Sequence, residues 1–336
     1  MQRQSTMGGV WKWVLGIDIA KAKFDVALLF PDGRFKNKVF ANDASGFSQL
    51  SAWLVKQGVN DGVHACMEAT GIYWEALAEY LADAGHRVSV VNPARIKAFG
   101  TSLGVRTKND PVDARLIANY CARQNPALWQ APPTQLRALR ALVLRRQALG
   151  VMRTQETNRL KVAHEAVQPG IQAHISGLEQ QIEDIEQKSR ELINRDPDLR
   201  RQFKLLDTVP GLGEKTISLL LSYYSEHQRF QKANEASAFA GLNPQQRQSG
   251  SSVKGKTHLS KIGHSAVRKA LYMPAVVAMT KTKWGKAFAA RLRAAGKIPM
   301  VIIGALMRKL VHIAYGVLKS GKPFDPTLHG LTQKIA

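Results

Sequence analysis

Four carboxylates in the first third of the chain stand where a metal-dependent phosphodiester site needs them. Asp18 ends an apolar run from Trp13 to Ile17, and Glu68 ends another from Val63 to Met67. Asp110 and Asp113 follow, three residues apart, a spacing that brings both near one face of a helix. Breaking or transferring a phosphodiester calls for divalent cations that neutralise the scissile phosphate and stabilise the attacking and leaving oxygens. Mg²⁺ takes hard oxygen ligands, which Asp and Glu supply. Each acid also has a structural alternative. Asp110-Pro111-Val112-Asp113 reads as a capped helix start, Asp18 as a strand-end acid, and Glu68 as a cap for the helix after Gly71. Capping accounts for any one of them, but four acids in positions consistent with one fold favour a site.

The elements that must hold these acids can be read from apolar alternation and turn residues. A strand to Ile17, a second over Phe24–Phe30, a Pro31-Asp32-Gly33 turn and a third over Arg34–Phe40 suggest an antiparallel start. A helix over about 46–56, a strand over 63–67, a helix over 73–84, a strand over 87–91 and helices from Pro93 and Pro111 complete the region. This βββαβαβα order is that of the ribonuclease H fold. There, an Asp on the first central strand and an acid after the fourth strand lie on neighbouring strand ends, with a late helix carrying further acids over them. No Gly-rich phosphate loop interrupts the region, which disfavours a nucleotide-binding Rossmann or P-loop domain.

The expected organisation is a polar tail over 1–13, an α/β domain over 14–130, a helical connector over 131–196 and a mostly helical domain over 197–336. Ala131-Pro132-Pro133 marks the first boundary, and Leu136, Leu139, Leu142 and Leu149 then form an apolar stripe. Ile171, Ile175, Leu178, Ile182, Ile185 and Leu192 fall on alternating four- and three-residue steps, with Ser189 in the intermediate place. That is coiled-coil periodicity, and it suits either a dimerisation arm or a hairpin packed on its own domain. Asp196-Pro197 marks the next boundary.

With 336 residues the chain is long enough for two or three domains. Its 48 Lys and Arg against 25 Asp and Glu give a net charge of +23, which calls for a polyanionic partner, and nucleic acid is favoured over a membrane surface. Residues 251–336 hold 16 of those cations and one acid, Asp325, so the positive field concentrates at the C-terminal end. No uninterrupted apolar run is long enough to span a bilayer, and the start of the chain lacks a secretory signal, so a cytosolic protein is expected. Cys66 and Cys121 are the only cysteines, and both read as buried structural thiols.

Two further motifs can meet DNA. Val209-Pro210-Gly211-Leu212-Gly213-Glu214-Lys215-Thr216 resembles the hairpin of a helix-hairpin-helix module, whose backbone N–H groups bind a phosphate without reading sequence. In Gln248-Ser249-Gly250-Ser251-Ser252-Val253-Lys254-Gly255-Lys256, Lys254 and Lys256 can cradle an anion beside hydroxyls able to act as nucleophiles. On composition alone a flexible, solvated loop is the favoured reading of this segment. Basic stripes at Arg137, Arg140, Arg145, Arg146 and Arg153, and at Lys281, Lys283, Lys286, Arg291 and Arg293 beside Trp284, are further candidate phosphate contacts.

Taken in order, Gly16-Ile17-Asp18-Ile19-Ala20-Lys21, Met67-Glu68-Ala69-Thr70-Gly71, Lys108 to Arg115, Pro210 to Gly213, Phe239 to Leu242 and Ser249 to Ser252 resemble insertion-sequence transposases. The group in question has an N-terminal RuvC-like DEDD domain and a C-terminal serine domain, and includes Piv/MooV DNA invertases. The nearest similarity is to the branch guided by a structured bridge RNA. The resemblance spans about 14–325. It implies that Asp18, Glu68, Asp110 and Asp113 bind Mg²⁺ (or Mn²⁺), and that Ser249 forms a phosphoserine link to DNA, with Ser251 and Ser252 as alternatives. It further implies a composite site with Ser249 presented by the C-terminal domain, donor and target DNA as substrates, dimers assembling into a synaptic tetramer, and a cytoplasmic, nucleoid-associated location in a bacterium. The rival readings are a Holliday-junction resolvase or nuclease without a serine step, and a nonenzymatic RNA- or DNA-binding protein.

Overall fold

A computed structural model describes residues 12–104, 110–226, 230–245, 248–249, 253–254 and 258–329; the side chains of Asp110, Pro111, Gln248, Ser249, Val253 and Lys254 lie outside that description. Residues 1–11 of the polar tail, Lys108, Asn109, Gly250, Ser251, Ser252 and Lys256 lie outside it as well. The chain divides into two compact units, Met1–Ala131 and Pro132–Ala336.

The first unit is a mixed five-stranded sheet with helices. Strands β1 (Val14–Ile19), β2 (Lys23–Leu29) and β3 (Phe35–Ala41) form an antiparallel meander. Strands β4 (His64–Glu68) and β5 (Arg87–Val91) extend it in parallel, in the order β3-β2-β1-β4-β5. Alternation sends Leu15, Ile17 and Ile19 into a core with Phe24, Val26 and Leu28. Helices α1 (Ala44–Lys56) and α2 (Glu75–Asp83) close that face through Leu50, Trp53, Leu54, Leu77 and Leu81. On the opposite face Val14 and Cys66 meet Ile96 of α3 (Pro93–Ser102) and Ile117, Ala118 and Cys121 of α4 (Asp110–Gln124). Both cysteines are buried free thiols.

Capping sets the helix starts. The Asp43 side chain accepts from the Gly46 N–H at 2.8 Å, so α1 begins two residues before the expected position. Asn92 caps α3 with Pro93 in its first turn. Helix α2 has no side-chain cap and follows Trp74, so Glu68 does not serve as its cap.

In the second unit α5 (Thr134–Leu160) and α6 (Gln168–Arg195) are long helices packed on each other. Leu149, Leu178 and Ile182 form their shared seam, with Ile185 against it. The coiled-coil spacing is thus used within the chain, in a hairpin whose Leu136, Leu139, Val143 and Ile193 join the main core of the unit. Asp196 ends α6 and caps α7 (Pro197–Asp207), accepting from the Asp198 and Leu199 N–H groups at 2.9 and 3.0 Å. Then come α8 (Glu214–Tyr224), α9 (Ala233–Phe239), α10 (Ser265–Ala270), α11 (Tyr272–Lys281), α12 (Lys283–Ala294) and α13 (Pro299–Ser320). By length and composition α13 could cross a membrane, yet twelve of its residues are buried in this unit, the place of a core helix. Among the described residues between α9 and α10 are four two-residue strands not anticipated from the sequence. They make two separate antiparallel pairs, β6 (Pro244–Gln245) with β9 (His258–Leu259) and β7 (Gln248–Ser249) with β8 (Val253–Lys254).

Candidate active site

The sheet register brings two of the four acids side by side. In the parallel ladder of β1 and β4, Gly16 pairs with Cys66 and Ile17 with Met67; the next residues are Asp18 and Glu68. By alternation Asp18 shares a face with Val14 and Gly16, and Glu68 with Cys66, which is the face that α4 covers. Both acids are partly exposed. Asp18 sits within β1 rather than beyond its end.

Gly16 decides how near α4 comes. A Cβ at that position would stand 2.1 Å from the Ala114 carbonyl oxygen, 2.3 Å from the Ala118 nitrogen and 2.8 Å from the Ala118 Cβ. The helix backbone therefore lies directly on the strand, which only glycine permits. Asp113, one residue before Ala114 and half-buried, is carried on the turn that meets β1. Asp110 is the first residue of the helix, one turn earlier. On the same helix Arg115 donates from Nε to Asn37 on β3 at 2.8 Å. The loops beyond the two strand acids are tied together by Asn42, whose Nδ2 donates to the Ala20 and Tyr73 carbonyls at 3.0 and 3.1 Å. Among the described residues, no three His, Cys, Asp or Glu side chains already form a group able to hold a metal ion, and the Asp110 side chain lies outside that set.

A fifth acid escaped the sequence reading. Asp25 pairs with Asp18 across the antiparallel ladder and is only 5% exposed. Lys23 Nζ donates to its Oδ2 at 3.1 Å. The available signal was an acid inside the apolar run Phe24–Phe30, at the spacing that puts it on one face with Lys23 and Ala27.

In the second unit, Ser249 belongs to the β7–β8 pair with its backbone opposite Val253, and Gln248 stands opposite Lys254. The Val209–Gly213 segment joins α7 to α8. Gly211 has φ of 105°, Gly213 is exposed at the start of α8, and the Pro210 carbonyl accepts from the buried Trp284 indole at 3.2 Å. Lys281 and Lys283 are exposed around the start of α12.

Several candidate cations are engaged within the protein. Arg140 donates to the Ser222 carbonyl at 2.9 Å and stacks 4.6 Å from the Tyr223 ring. Arg146 and Lys215 reach Glu186 at 2.7 and 2.9 Å, joining α5, α6 and α8. Arg137 is half-buried, whereas Arg145 is exposed. Burial pushes the Glu186 carboxyl up, but hydrogen bonds from Lys215 and Arg146 outweigh it and hold the group below its ordinary range. A depressed carboxylate stabilises the fold above its unfolded pKa, and that contribution disappears as pH falls through the folded value. Thermal melting of the wild type should therefore decline as pH falls from neutral into the acid range, while Glu186→Gln should melt lower at neutral pH and show a shallower acid decline. Equal melting curves for the two proteins at both ends of that range would remove the ion cluster from the stability of the hairpin.

Comparison with known proteins bears on both units. Residues 15–168 match a family described as "Transposase", the IS110 DEDD type, and residues 203–290 match "Transposase IS116/IS110/IS902 family". The pilin gene-inverting proteins of Moraxella bovis and Moraxella lacunata are each 36% identical to the chain over 320 residues, covering 95% of it and 99% of their own length. The transposase for insertion sequence element IS1328 of Yersinia enterocolitica is 27% identical over 286 residues, covering 74% of the chain and 82% of its own.

Proposed function

Because the chain belongs to the IS116/IS110/IS902 transposase family, whose members are enzymes acting on DNA, we propose that it exchanges DNA strands through a covalent serine intermediate, assisted by a divalent metal ion. The observation that carries this reading is the juxtaposition of Asp18 and Glu68 at the ends of neighbouring parallel strands, with the Asp110/Asp113 helix pressed onto the same face. The strand order and connections also support a ribonuclease H-like, RuvC-like reading of the first unit. Asp18, Glu68, Asp110 and Asp113 would hold Mg²⁺ or Mn²⁺, which supplies charge neutralisation at the scissile phosphate.

In this mechanism the Ser249 hydroxyl oxygen attacks the scissile phosphorus, its proton passing to solvent or a nearby base. A phosphoserine ester forms as the bond to the leaving sugar oxygen breaks, and that oxygen takes up a proton. Attack on the ester by a DNA hydroxyl then frees the serine and rejoins DNA with the number of ester bonds conserved. The relatives named for inverting a pilin gene support rearrangement as the outcome. Guidance by a bridge RNA and a synaptic tetramer built from dimers belong to the same proposal, and the +23 charge suits RNA and DNA alike. RNA copurifying with the protein, if required for recombination between matched sites, would establish that part.

The acids are tested on a plasmid carrying the gene with its flanking DNA. Asp18→Asn and Asp113→Asn should each lower recombination in Mg²⁺ by at least about 10²-fold while leaving folding and DNA binding in place. Wild-type recombination by either variant would return that acid to a structural role. Free cut ends with no protein attached would favour a resolvase.

A further inference from the structure

The Lys23–Asp25 pair is not one of the four candidate acids, yet Asp25 lies opposite one of them, Asp18. Asp25 is a buried carboxylate directly across the ladder from Asp18. Like charges opposite one another destabilise a sheet, and a buried acid persists when it is paired. The pairing here is unequal: the Asp25 side chain is 8% exposed and the Lys23 side chain 47%. The acid is thus anchored in the protein, and the Lys23 ammonium it holds stands at the surface. Lys23 opens β2 just after the tight turn that leaves β1, where the Ala20 N–H donates to the Lys23 carbonyl at 2.9 Å. By alternation it lies on the same face as Asp25. Two residues along a strand and one strand across place its Cα roughly 8 Å from that of Asp18, within the span of a lysine side chain and a bridging phosphate.

We propose that Lys23 contacts the DNA phosphate brought to Asp18 and Glu68, with Asp25 as the positioning residue that holds the ammonium at the site's edge. The inference rests on the reading of Asp18 and Glu68 as the phosphodiester site. An ammonium there adds a protein-borne cation to a cluster of acids that would otherwise repel the DNA backbone. Arginine can keep that charge, whereas glutamine cannot.

The test measures binding of a fluorescent mixed-sequence DNA duplex by the full chain in Ca²⁺ buffer across a salt series, alongside thermal melting and recombination of the plasmid substrate in Mg²⁺. Lys23→Gln should weaken binding roughly tenfold near 0.1 M salt and reduce the salt-dependence slope by about 0.9, the signature of one lost phosphate contact. Lys23→Arg should restore the slope. Lys36→Gln is the control: Lys36 is exposed on β3 and donates to Gln57 at 2.8 Å, and its loss should leave the slope unchanged. If Lys23→Gln folds poorly, the charge-balanced Lys23→Gln/Asp25→Asn protein removes the pair without leaving a buried unpaired acid, and the same slope change is expected. A wild-type slope in every folded variant lacking the ammonium overturns the proposal and leaves a structural ion pair. If Asp18→Asn is inactive while the Lys23 variants bind and recombine normally, this inference alone fails. If Asp18→Asn recombines normally, the underlying site reading fails instead.

Discussion

Gly16→Ala is expected to unfold or severely loosen the first unit. The added methyl would stand 2.1 Å from the Ala114 carbonyl oxygen and 2.3 Å from the Ala118 nitrogen, both backbone atoms that no rotamer change can move aside. Overpacking of this kind typically costs about 1–3 kcal/mol where side chains can yield, and more where they cannot. Against a total stability of roughly 5–15 kcal/mol, that is a large share. The melting midpoint should fall by roughly 10 °C or more. Recombination should be lost as well, since relief of the clash requires α4, with Asp110 and Asp113, to withdraw from Asp18. Gly150→Ala provides the contrast: its position in α5 has open space and should gain about 0.5–1 kcal/mol in helix preference. A Gly16→Ala protein with wild-type melting and activity would contradict the close approach of α4 to β1.

Ser249→Ala should eliminate covalent protein–DNA adducts and lower recombination by about 10³-fold or more, with DNA binding retained, because alanine offers no oxygen for the ester. Adducts are scored by their resistance to denaturant on a gel after incubation in Mg²⁺. Under the proposed mechanism Asp18→Asn should also lose the adduct, because the metal that the acids would hold neutralises the scissile phosphate. The two variants differ under thiol chemistry: Ser249→Cys keeps a nucleophile and should recover a protein–DNA link to some extent, whereas no change at position 249 should rescue Asp18→Asn. An adduct that persists in Ser249→Ala and is lost in Ser251→Ala or Ser252→Ala would move the nucleophile along the loop.

The elements that carry these residues were legible because their causes are local. Short apolar runs mark β1, β2, β4 and β5, and Asn92-Pro93 and Asp196-Pro197 mark helix starts by capping and by a fixed φ. The short strand pairs around Ser249 were missed because four two-residue strands carry too little alternation to register. Coiled-coil spacing in α6 was visible, but the same stripe serves a partner chain or a neighbouring helix equally well. Charge was visible too, though not its use: Arg140, Arg146 and Lys215 look like free cations in the sequence and are engaged by Ser222, Tyr223 and Glu186 in the fold.

The four acids show where chemistry is encoded along the chain, since Asp18 and Glu68 each end an apolar run and Asp110 and Asp113 share a helix. By itself the sequence determined residue types, the order of elements and a polyanion-seeking charge. Only the tertiary structure decided that β1 pairs with β4 in the register that sets Asp18 beside Glu68, that Gly16 admits the α4 backbone, and that buried Asp25 faces Asp18 with Lys23 in its grip. Those relations are pairings between residues distant in sequence, fixed by hydrogen-bond register and by the volume left when two backbones meet, and no local preference encodes either.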